Sequence, residues 1–326
     1  MRQDQSHGRP LQRRASTLPR TLLSTMTTSE YPTTMLARQE MQSWKLLQLE
    51  PAAMREPDKF LAPSTLGSDG SHLAATLYRL AHDSAYREDE ETKEESANRI
   101  YARTAVRLKE LLGDVQKVQI DRDEKRQALT LQITAKDGSV LPARSLSDGT
   151  LRFLALTVIK LDSEMGGLIC LEEPENGIHP ARIHAILELL QEIAMDVESP
   201  IGADNPLRQV IINTHSPAIV LQIPDDSLLC AVSKYEFDPS ERKYSHVVFG
   251  CLSDTWRAKS GTETFHKGEI LSFLQPVIPV VSERAISDHE KTLKSTPKNG
   301  NRANKLRVID RPDMQRTLEF FETDKA

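Results

Sequence analysis

Leu168-Ile-Cys-Leu-Glu172-Glu173-Pro174 is the most informative segment of this sequence for its fold. Its four consecutive apolar residues predict a buried strand of the kind that occupies the middle of a parallel sheet. The strand stops abruptly at Glu172 and Glu173, so we expect both carboxylates at the carboxyl edge of the sheet, where α/β proteins bind ligands. Two adjacent carboxylates repel each other unless a cation or a metal-bound phosphate lies nearby. The alternative for this motif alone is a solvated strand end followed by a charged turn.

A helix and a second strand follow this motif. Pro180 opens the helix, and Val210–Ile212 predicts another buried strand. The apolar residues that share one face of the helix are Ile183, Ile186, Leu187, Leu190 and Ile193. Strand, helix and strand together predict a βαβ unit with a right-handed crossover and two parallel strands.

The second strand leads to His215, within Asn213-Thr214-His215-Ser216-Pro217. The parallel arrangement places this histidine at the same sheet edge as the two glutamates. A neutral imidazole there could donate a hydrogen bond to a γ-phosphate oxygen. A single histidine after a strand is otherwise an ordinary hydrogen-bonded loop residue, so only the shared edge favours a functional role.

A third motif, Leu146-Ser147-Asp148-Gly149-Thr150, opens an apolar helix that reaches Leu161. A loop of small residues at a helix start offers free backbone N–H groups and the positive end of the helix dipole, which together favour anions. Ser-Asp-Gly is also a common turn sequence, so this motif carries little weight by itself.

Helices and an antiparallel sheet are expected ahead of these motifs. Ser71 is the predicted N-cap of a helix that carries Leu73, Leu77 and Leu80 on one face. A second helix covers 97–112 and ends at Gly113. The strands predicted next are Val115–Ile120, Leu129–Ile133 and Val140–Leu141, with a turn at Asp137-Gly138. The expected fold class is therefore α/β, with a partly parallel sheet flanked by helices and a small antiparallel portion.

Three segments are expected along the chain. Residues 1–40 have no clear period and are predicted to be disordered or irregular, residues 41–280 to be folded, and residues 281–326 to be a charged, disordered tail. The segment Trp44–Ala62 suggests an irregular or edge piece, and hairpin strands are expected at Leu228–Val232 and His246–Phe249. Five arginines in the first twenty residues could belong to a transit peptide, but we favour a disordered basic end because no long apolar face accompanies them.

Composition narrows the class of protein. The net charge of −5 gives no general attraction to nucleic acid, and no run of about 18 apolar residues predicts a membrane span. The three cysteines, Cys170, Cys230 and Cys251, lie in or beside apolar stretches and form no CxxC pair. They predict reduced thiols in a cytoplasmic protein rather than a disulfide framework or a zinc site.

The order of the motifs strengthens each of them. Leu146–Thr150 resembles the signature motif of ABC ATPases, Leu168–Pro174 resembles their Walker B strand, and Thr214–Pro217 resembles their switch-histidine loop. The sequence Glu-Pro-Glu-Asn-Gly-Ile-His-Pro at 173–180 is similar to a motif of RecF/SMC-like AAA family ATPases of DNA repair and anti-phage defence. The segment Asp69–Leu77 also resembles a segment of these proteins. The resemblance covers about residues 60–220.

This resemblance implies a P-loop NTPase fold, an ABC-like lobe that uses ATP and Mg²⁺. Glu172 would hold Mg²⁺ through water, Glu173 would be the catalytic base that activates the attacking water, and His215 would sense the γ-phosphate. The residues implied to bind nucleotide are Ser147, Asp148, Gly149 and Thr150. Signature loops of this class complete the site of the opposite subunit. Glu172 departs from the usual aspartate, which leaves the placement of the metal ligand open.

The phosphate-binding loop of such proteins, G-x-x-x-x-G-K-[ST], does not occur in this sequence, because none of the fourteen glycines precedes a lysine. The chain is therefore expected to be either a fragment of a longer ATPase or a natural half whose partner supplies the loop. We expect the fragment, because residues 1–40 do not resemble the start of a folded lobe. An in-frame P-loop in the DNA upstream of Met1 would decide.

The leading functional hypothesis is an ATP-hydrolysing lobe that acts in a head-to-tail homodimer or with an ATPase partner subunit. The alternative is a catalytically silent regulatory module that dimerises or holds a partner such as a nuclease. DNA binding is a weaker hypothesis. It would use the basic residues of the tail, which are Lys291, Lys294, Lys298, Arg302, Lys305 and Arg307.

Overall fold

The structure is a computed structural model that describes residues 20–25, 31–83, 92–202, 204–238, 242–260 and 262–274. All of these belong to one compact unit, Met1–Gln275. The second unit, Pro276–Ala326, contains the predicted charged tail and its basic residues and lies outside the described residues. Within the described part of the chain, every helix is too short or too polar to span a membrane.

The described residues form nine α-helices and ten β-strands. The helices are α1 (Leu22–Thr25), α2 (Pro32–Ser43), α3 (Pro51–Arg55), α4 (Leu73–His82), α5 (Lys93–Leu112), α6 (Asp148–Leu161), α7 (Ile183–Ile193), α8 (Pro217–Gln222) and α9 (Lys267–Leu274). The strands are β1 (Lys45–Leu47), β2 (Asp58–Lys59), β3 (Val115–Asp123), β4 (Ala128–Ala135), β5 (Val140–Pro142), β6 (Gly167–Glu172), β7 (Arg208–Asn213), β8 (Leu229–Phe237), β9 (Lys243–Leu252) and β10 (Glu263–Phe265).

A parallel sheet with the order β1-β6-β7 carries the acidic motif on its middle strand. Ile169 and Leu171 of β6 are buried, which confirms the prediction of a buried central strand. The strand β7 lies parallel to β6, as the βαβ pattern predicts. The prediction that β7 is buried was wrong for one of its faces, since Ile211 is 56% exposed. Among the described strands β7 pairs with β6 alone, and only its inner face packs against the core.

Helix α6 is the centre of the hydrophobic core. Its buried residues include Leu151, Phe153, Leu154, Ala155, Leu156, Val158 and Ile159. A helix that is apolar on all sides must be covered on all sides, and α6 contacts α3, α4, α5 and α7. Helix α7 packs its predicted apolar face against α6 and the parallel sheet, and all five residues of that face are buried. These contacts fix the start of α6 relative to the ends of β6 and β7.

The antiparallel portion agrees with the sequence pattern. Strands β2, β4 and β3 form a sheet in that order, and β5 pairs with β4. Helix α5 ends at Gly113, whose φ of 77° is the left-handed conformation that glycine adopts without strain. A third, mixed sheet has the order β10-β9-β8, in which β10 pairs parallel to β9. Its antiparallel pair β8–β9 is the predicted hairpin, with strands longer than predicted.

The N-terminal cap of α4 is not the predicted Ser71. The residue that precedes α4 is His72, in the left-handed conformation with φ 62°. The carboxylate of Asp58, on β2, accepts a hydrogen bond from the backbone N–H of Ala75 at 2.9 Å and contacts Nδ1 of His72 at 2.9 Å. A cap supplied by a strand distant in sequence leaves no local pattern, which explains why the prediction was wrong.

The described end of the N-terminal segment is helical, although its composition predicts disordered or irregular structure. Helix α2 begins at Pro32 and crosses residue 40, within a stretch that shows no sequence period. Only Thr34 of α2 is buried, so the helix needs no apolar stripe and leaves no periodic signal. The edge piece expected between Trp44 and Ala62 is confirmed by β1, which lies at the edge of the parallel sheet. Residues 1–19 and 26–30, with the basic N-terminal arginines before Arg20, lie outside the described residues.

Candidate functional site

The two glutamates and the histidine lie at one edge of the parallel sheet. Glu172 pairs in register with Asn213, the last residue of β7, and the backbone N–H of Glu173 donates to the carbonyl of Asn213 at 2.8 Å. His215 follows two residues later. Glu172 and His215 are exposed and Glu173 is partly buried. We call this edge, with these three side chains, the carboxylate rim.

Glu173 occupies an unusual backbone conformation. Its φ of 42° is positive, which is uncommon for a residue with a Cβ atom and often marks a functional site. The side-chain amide of Asn176 donates to Oε2 of Glu173 at 2.5 Å, and the Asn176 backbone N–H donates to the Glu173 carbonyl at 3.0 Å. The carboxylate of Glu173 is therefore held in place by the turn that follows it.

Gln48 is a rim residue that sequence reasoning missed. It follows β1, whose last residue, Leu47, pairs in register with Leu171. Its Nε2 donates to Oε2 of Glu172 at 2.9 Å. The available signal was a polar side chain directly after an apolar pair. Because β1 has only three residues, the sequence indicates an edge piece in this region but does not place Gln48 beside Glu172.

The rim has the chemistry of a magnesium site that shares its ligands with a phosphate. Mg²⁺ keeps several waters and uses one or two carboxylates together with substrate phosphates. Glu172 offers carboxylate oxygens, and Gln48 offers an amide oxygen because its nitrogen already donates to Glu172. Across the described ranges no group of three or more His, Cys, Asp or Glu could enclose a metal ion. Glu172 and Gln48 thus provide oxygen atoms of the kind that a partly hydrated Mg²⁺ binds.

The loop before α6 forms a helix cap. Oγ of Ser147 accepts a hydrogen bond from the backbone N–H of Thr150 at 3.2 Å and lies 2.7 Å from the Thr150 hydroxyl. Ser147 and Asp148 are exposed, whereas Gly149 and Thr150 are buried. Asp148 forms an ion pair with Arg55 at 2.5 Å. The surface that this loop presents to solvent is thus made by Ser147 and Asp148.

This cap is packed against the turn that follows Glu173. A Cβ atom at Gly149 would lie 2.3 Å from the carbonyl oxygen of Gly177, which is closer than real Cβ atoms approach other atoms. The guanidinium of Arg152, one turn further along α6, donates to the carbonyl of Asn176 at 2.6 Å. Gly149 therefore allows the start of α6 and the turn at 173–177 to form one rigid surface.

Substitution of Gly149 by alanine is expected to destabilise the fold by about 1–3 kcal/mol, the usual cost of overpacking, because the nearest atoms are backbone atoms. Gly166→Ala is the control, since its Cβ would meet only the Leu207 carbonyl oxygen, at an ordinary 3.7 Å. Urea unfolding measures both changes in the free energy of unfolding. Equal values for the two variants would contradict the close packing of α6 on the turn.

The sequence match to a family model identifies the chain as an AAA-type ATPase domain. The chain belongs to the family described as "AAA domain, putative AbiEii toxin, Type IV TA system", which matches residues 39–221. That match includes the carboxylate rim, Gln48 and the cap of α6. No curated protein sequence matches the chain.

Solved structures of SMC heads are similar to this chain, with low TM-scores of 0.29 to 0.33. The Smc head domain with a coiled coil and joint from Pyrococcus yayanosii has 12% identity and a TM-score of 0.33, over 56% of this chain and 31% of that one. A structure described as "ATP-driven dimerization and DNA stimulated activation of SMC ATPases" has 10% identity and a TM-score of 0.29, over 62% and 96%. The Smc head domain from Pyrococcus furiosus bound to the C-terminal domain of ScpA has 12% identity and a TM-score of 0.31, over 52% and 39%. This chain thus spans about a third of the first of these, and the family assignment rests on the sequence match.

Proposed function

We propose that this chain is the ATP-binding and ATP-hydrolysing lobe of a RecF/SMC-like ATPase that acts in a dimer. The main support for this proposal is the carboxylate rim. There, the adjacent parallel strands β6 and β7 bring an acidic pair and an imidazole to one edge of the sheet. The match to an AAA family supports nucleotide binding at this edge. Carboxyl edges of parallel strands are the usual ligand sites of α/β proteins.

Each rim residue has a role in this proposal. Glu172, oriented by Gln48, holds Mg²⁺ through water. Glu173, fixed by Asn176, accepts a proton from the attacking water. His215 donates to the γ-phosphate and reports its presence. Bound Mg²⁺ neutralises charge that develops on the phosphate oxygens.

The phosphate-binding loop has to come from a segment that this sequence does not encode. Two features of the parallel sheet support such an addition. Strand β7 pairs only with β6 among the described strands, so its other edge is open to a further strand. Leu46 and Ile211, which flank Cys170 in register on one face, are each 56% exposed, although parallel sheets are normally covered on both faces. A strand–loop–helix element could pair with β7 and cover this face.

The dimer is proposed from the exposure of the α6 cap. Ser147 and Asp148 point to solvent and are expected to contact nucleotide bound to an opposing lobe, with Gly149 and Thr150 shaping the loop behind them. The partner is a second copy of the chain or a related ATPase subunit. The proposed setting is DNA repair or anti-phage defence, with DNA or a nuclease as further partners.

A catalytically silent binding module is the second candidate, and the missing P-loop favours it. Such a module would keep the rim and dimerise without turnover. Purified chain mixed with Mg²⁺ and ATP separates the two candidates by phosphate release and by equilibrium dialysis of labelled nucleotide. Measurable release that depends on Mg²⁺ supports the ATPase. Absence of both release and binding, when the folded chain is tested together with the segment or subunit that supplies the phosphate loop, contradicts it and leaves the silent module.

A further inference from the structure

Glu175 is a buried acidic residue that takes no part in the proposed metal binding or proton transfer. It lies in the turn after Glu173 and is only 8% exposed, although glutamate is rarely buried unless paired. Its Oε1 accepts a hydrogen bond from the hydroxyl of Thr214. Its Oε2 is buried and has no hydrogen-bond partner among the described residues. A buried polar atom left unpaired costs free energy, so its presence calls for a physical reason.

Thr214 links this carboxylate to the backbone on the far side of His215. Its Oγ1, which donates to Glu175, also accepts a hydrogen bond from the backbone N–H of Ser216 at 3.0 Å. The residue enclosed by this bridge is His215. Glu175 itself is fixed by the turn, because its carbonyl accepts a hydrogen bond from the N–H of Ile178 at 2.9 Å.

We infer that Glu175 is a positioning residue, which acts through Thr214 to hold His215 at the carboxylate rim. The role given to His215 in this inference rests on the proposed function. The geometry of the loop is independent of it. The Glu175–Thr214 pair joins the turn that carries Glu173 to the loop that carries His215. A shift of either segment on nucleotide binding is therefore transmitted to the other. Burial of the unpaired Oε2 costs free energy. A glutamate at this position nevertheless makes the contact, because a shorter residue would not reach Thr214 and an apolar one would not accept its hydrogen bond.

Two pairs of variants test the connection in the full chain. Thr214→Val removes the hydroxyl at nearly constant shape, and Thr214→Ser retains it. Glu175→Met removes the acceptor at similar length, and Glu175→Gln retains an acceptor oxygen. NMR of ¹³C-labelled histidine reports on the His215 ring, whose signal is identified by its loss in His215→Gln. Urea unfolding confirms that each variant is folded.

Thr214→Val and Glu175→Met are expected to shift the His215 signal of the nucleotide-free chain in the same way, whereas Thr214→Ser and Glu175→Gln keep it near its original position. An unchanged signal in both Thr214→Val and Glu175→Met would overturn the inference. So would an equal shift in Thr214→Val and Thr214→Ser. Should one of the two disruptive variants fail to fold, the other decides.

Nucleotide binding provides a second readout that loss of stability alone would not move. The preference of the chain for Mg·ATP over Mg·ADP is expected to fall by about 2- to 12-fold in Thr214→Val, the range for one lost hydrogen bond, and to persist in Thr214→Ser. An unchanged preference in a folded Thr214→Val would overturn the inference. Failure of the wild-type chain to bind either nucleotide would instead count against the proposed function, and the nucleotide-free NMR comparison would still decide the position of His215.

Discussion

In the assembly that supplies the phosphate-binding loop, replacement of Glu173 by glutamine is expected to lower Mg²⁺-dependent phosphate release from ATP by about 10²- to 10⁴-fold, the usual contribution of a general base. Glutamine preserves the size of the side chain and can still accept a hydrogen bond from Asn176, but it cannot take a proton from water. Nucleotide affinity is expected to stay the same or to increase. Phosphate release and equilibrium binding, measured on the same preparation, separate these two effects.

Glu188→Gln is the matched control for this prediction. Glu188 is an exposed residue of α7 that pairs with His184 on the same helix. The Glu188→Gln variant therefore makes the same chemical change at a site on the helix surface. Its rate is expected to equal that of the wild-type chain. A Glu173→Gln variant that releases phosphate at the wild-type rate would exclude Glu173 as the base.

A large loss of stability is expected from a substitution in the hydrophobic core that supports the rim. Leu154→Ala is expected to lower the free energy of unfolding by about 2–5 kcal/mol, because it leaves a cavity in a fully buried position. Leu154 is 0% exposed and lies on α6, the helix that joins the Ser147 cap to the core. Urea unfolding measures the change as a shift of the midpoint.

Leu61→Ala makes the identical chemical change at a residue that is 98% exposed. Its effect is expected to remain within about 0.5 kcal/mol, as for most surface substitutions. Similar destabilisation by the two variants would contradict the central position of α6 in the core.

The central βαβ unit could be predicted from the sequence because its signals are local. A continuous apolar run marks β6, a helical period marks α7, and the polar residues after each strand fall at one edge. Parallel pairing then follows from the connection through a helix. For the same reason Glu172, Glu173 and His215 could be placed at one edge of the sheet without a structure.

The residues that were missed depend on contacts between distant segments. Gln48 reaches Glu172 only because β1, a strand of three residues, pairs with β6. Asp58 caps α4 although it lies on β2, 17 residues before Ala75. The Glu175–Thr214 hydrogen bond joins residues that are 39 positions apart. No period or short motif encodes such pairs.

The outer face of β7 was mispredicted for a different reason. Val210–Ile212 is an apolar run that indicates burial on both faces, and Ile211 would be buried if a layer covered that face. The sequence pattern thus reports the environment for which the strand is suited. In the proposed function, the segment that carries the phosphate loop would pack on the exposed Ile211 and pair with the edge of β7 that meets no other described strand.

Paramagnetic broadening by Mn²⁺ in place of Mg²⁺ tests most directly whether the carboxylate rim faces a metal-bound triphosphate. In a chain with ¹³C-labelled histidine, addition of Mn²⁺ and ATP at millimolar concentration is expected to broaden the His215 signal selectively, and Glu172→Gln is expected to abolish the broadening. Weak binding suffices for this measurement, so it does not require the phosphate loop or turnover. A His215 signal that stays sharp in the folded wild-type chain, or that broadens equally in Glu172→Gln, would contradict the account.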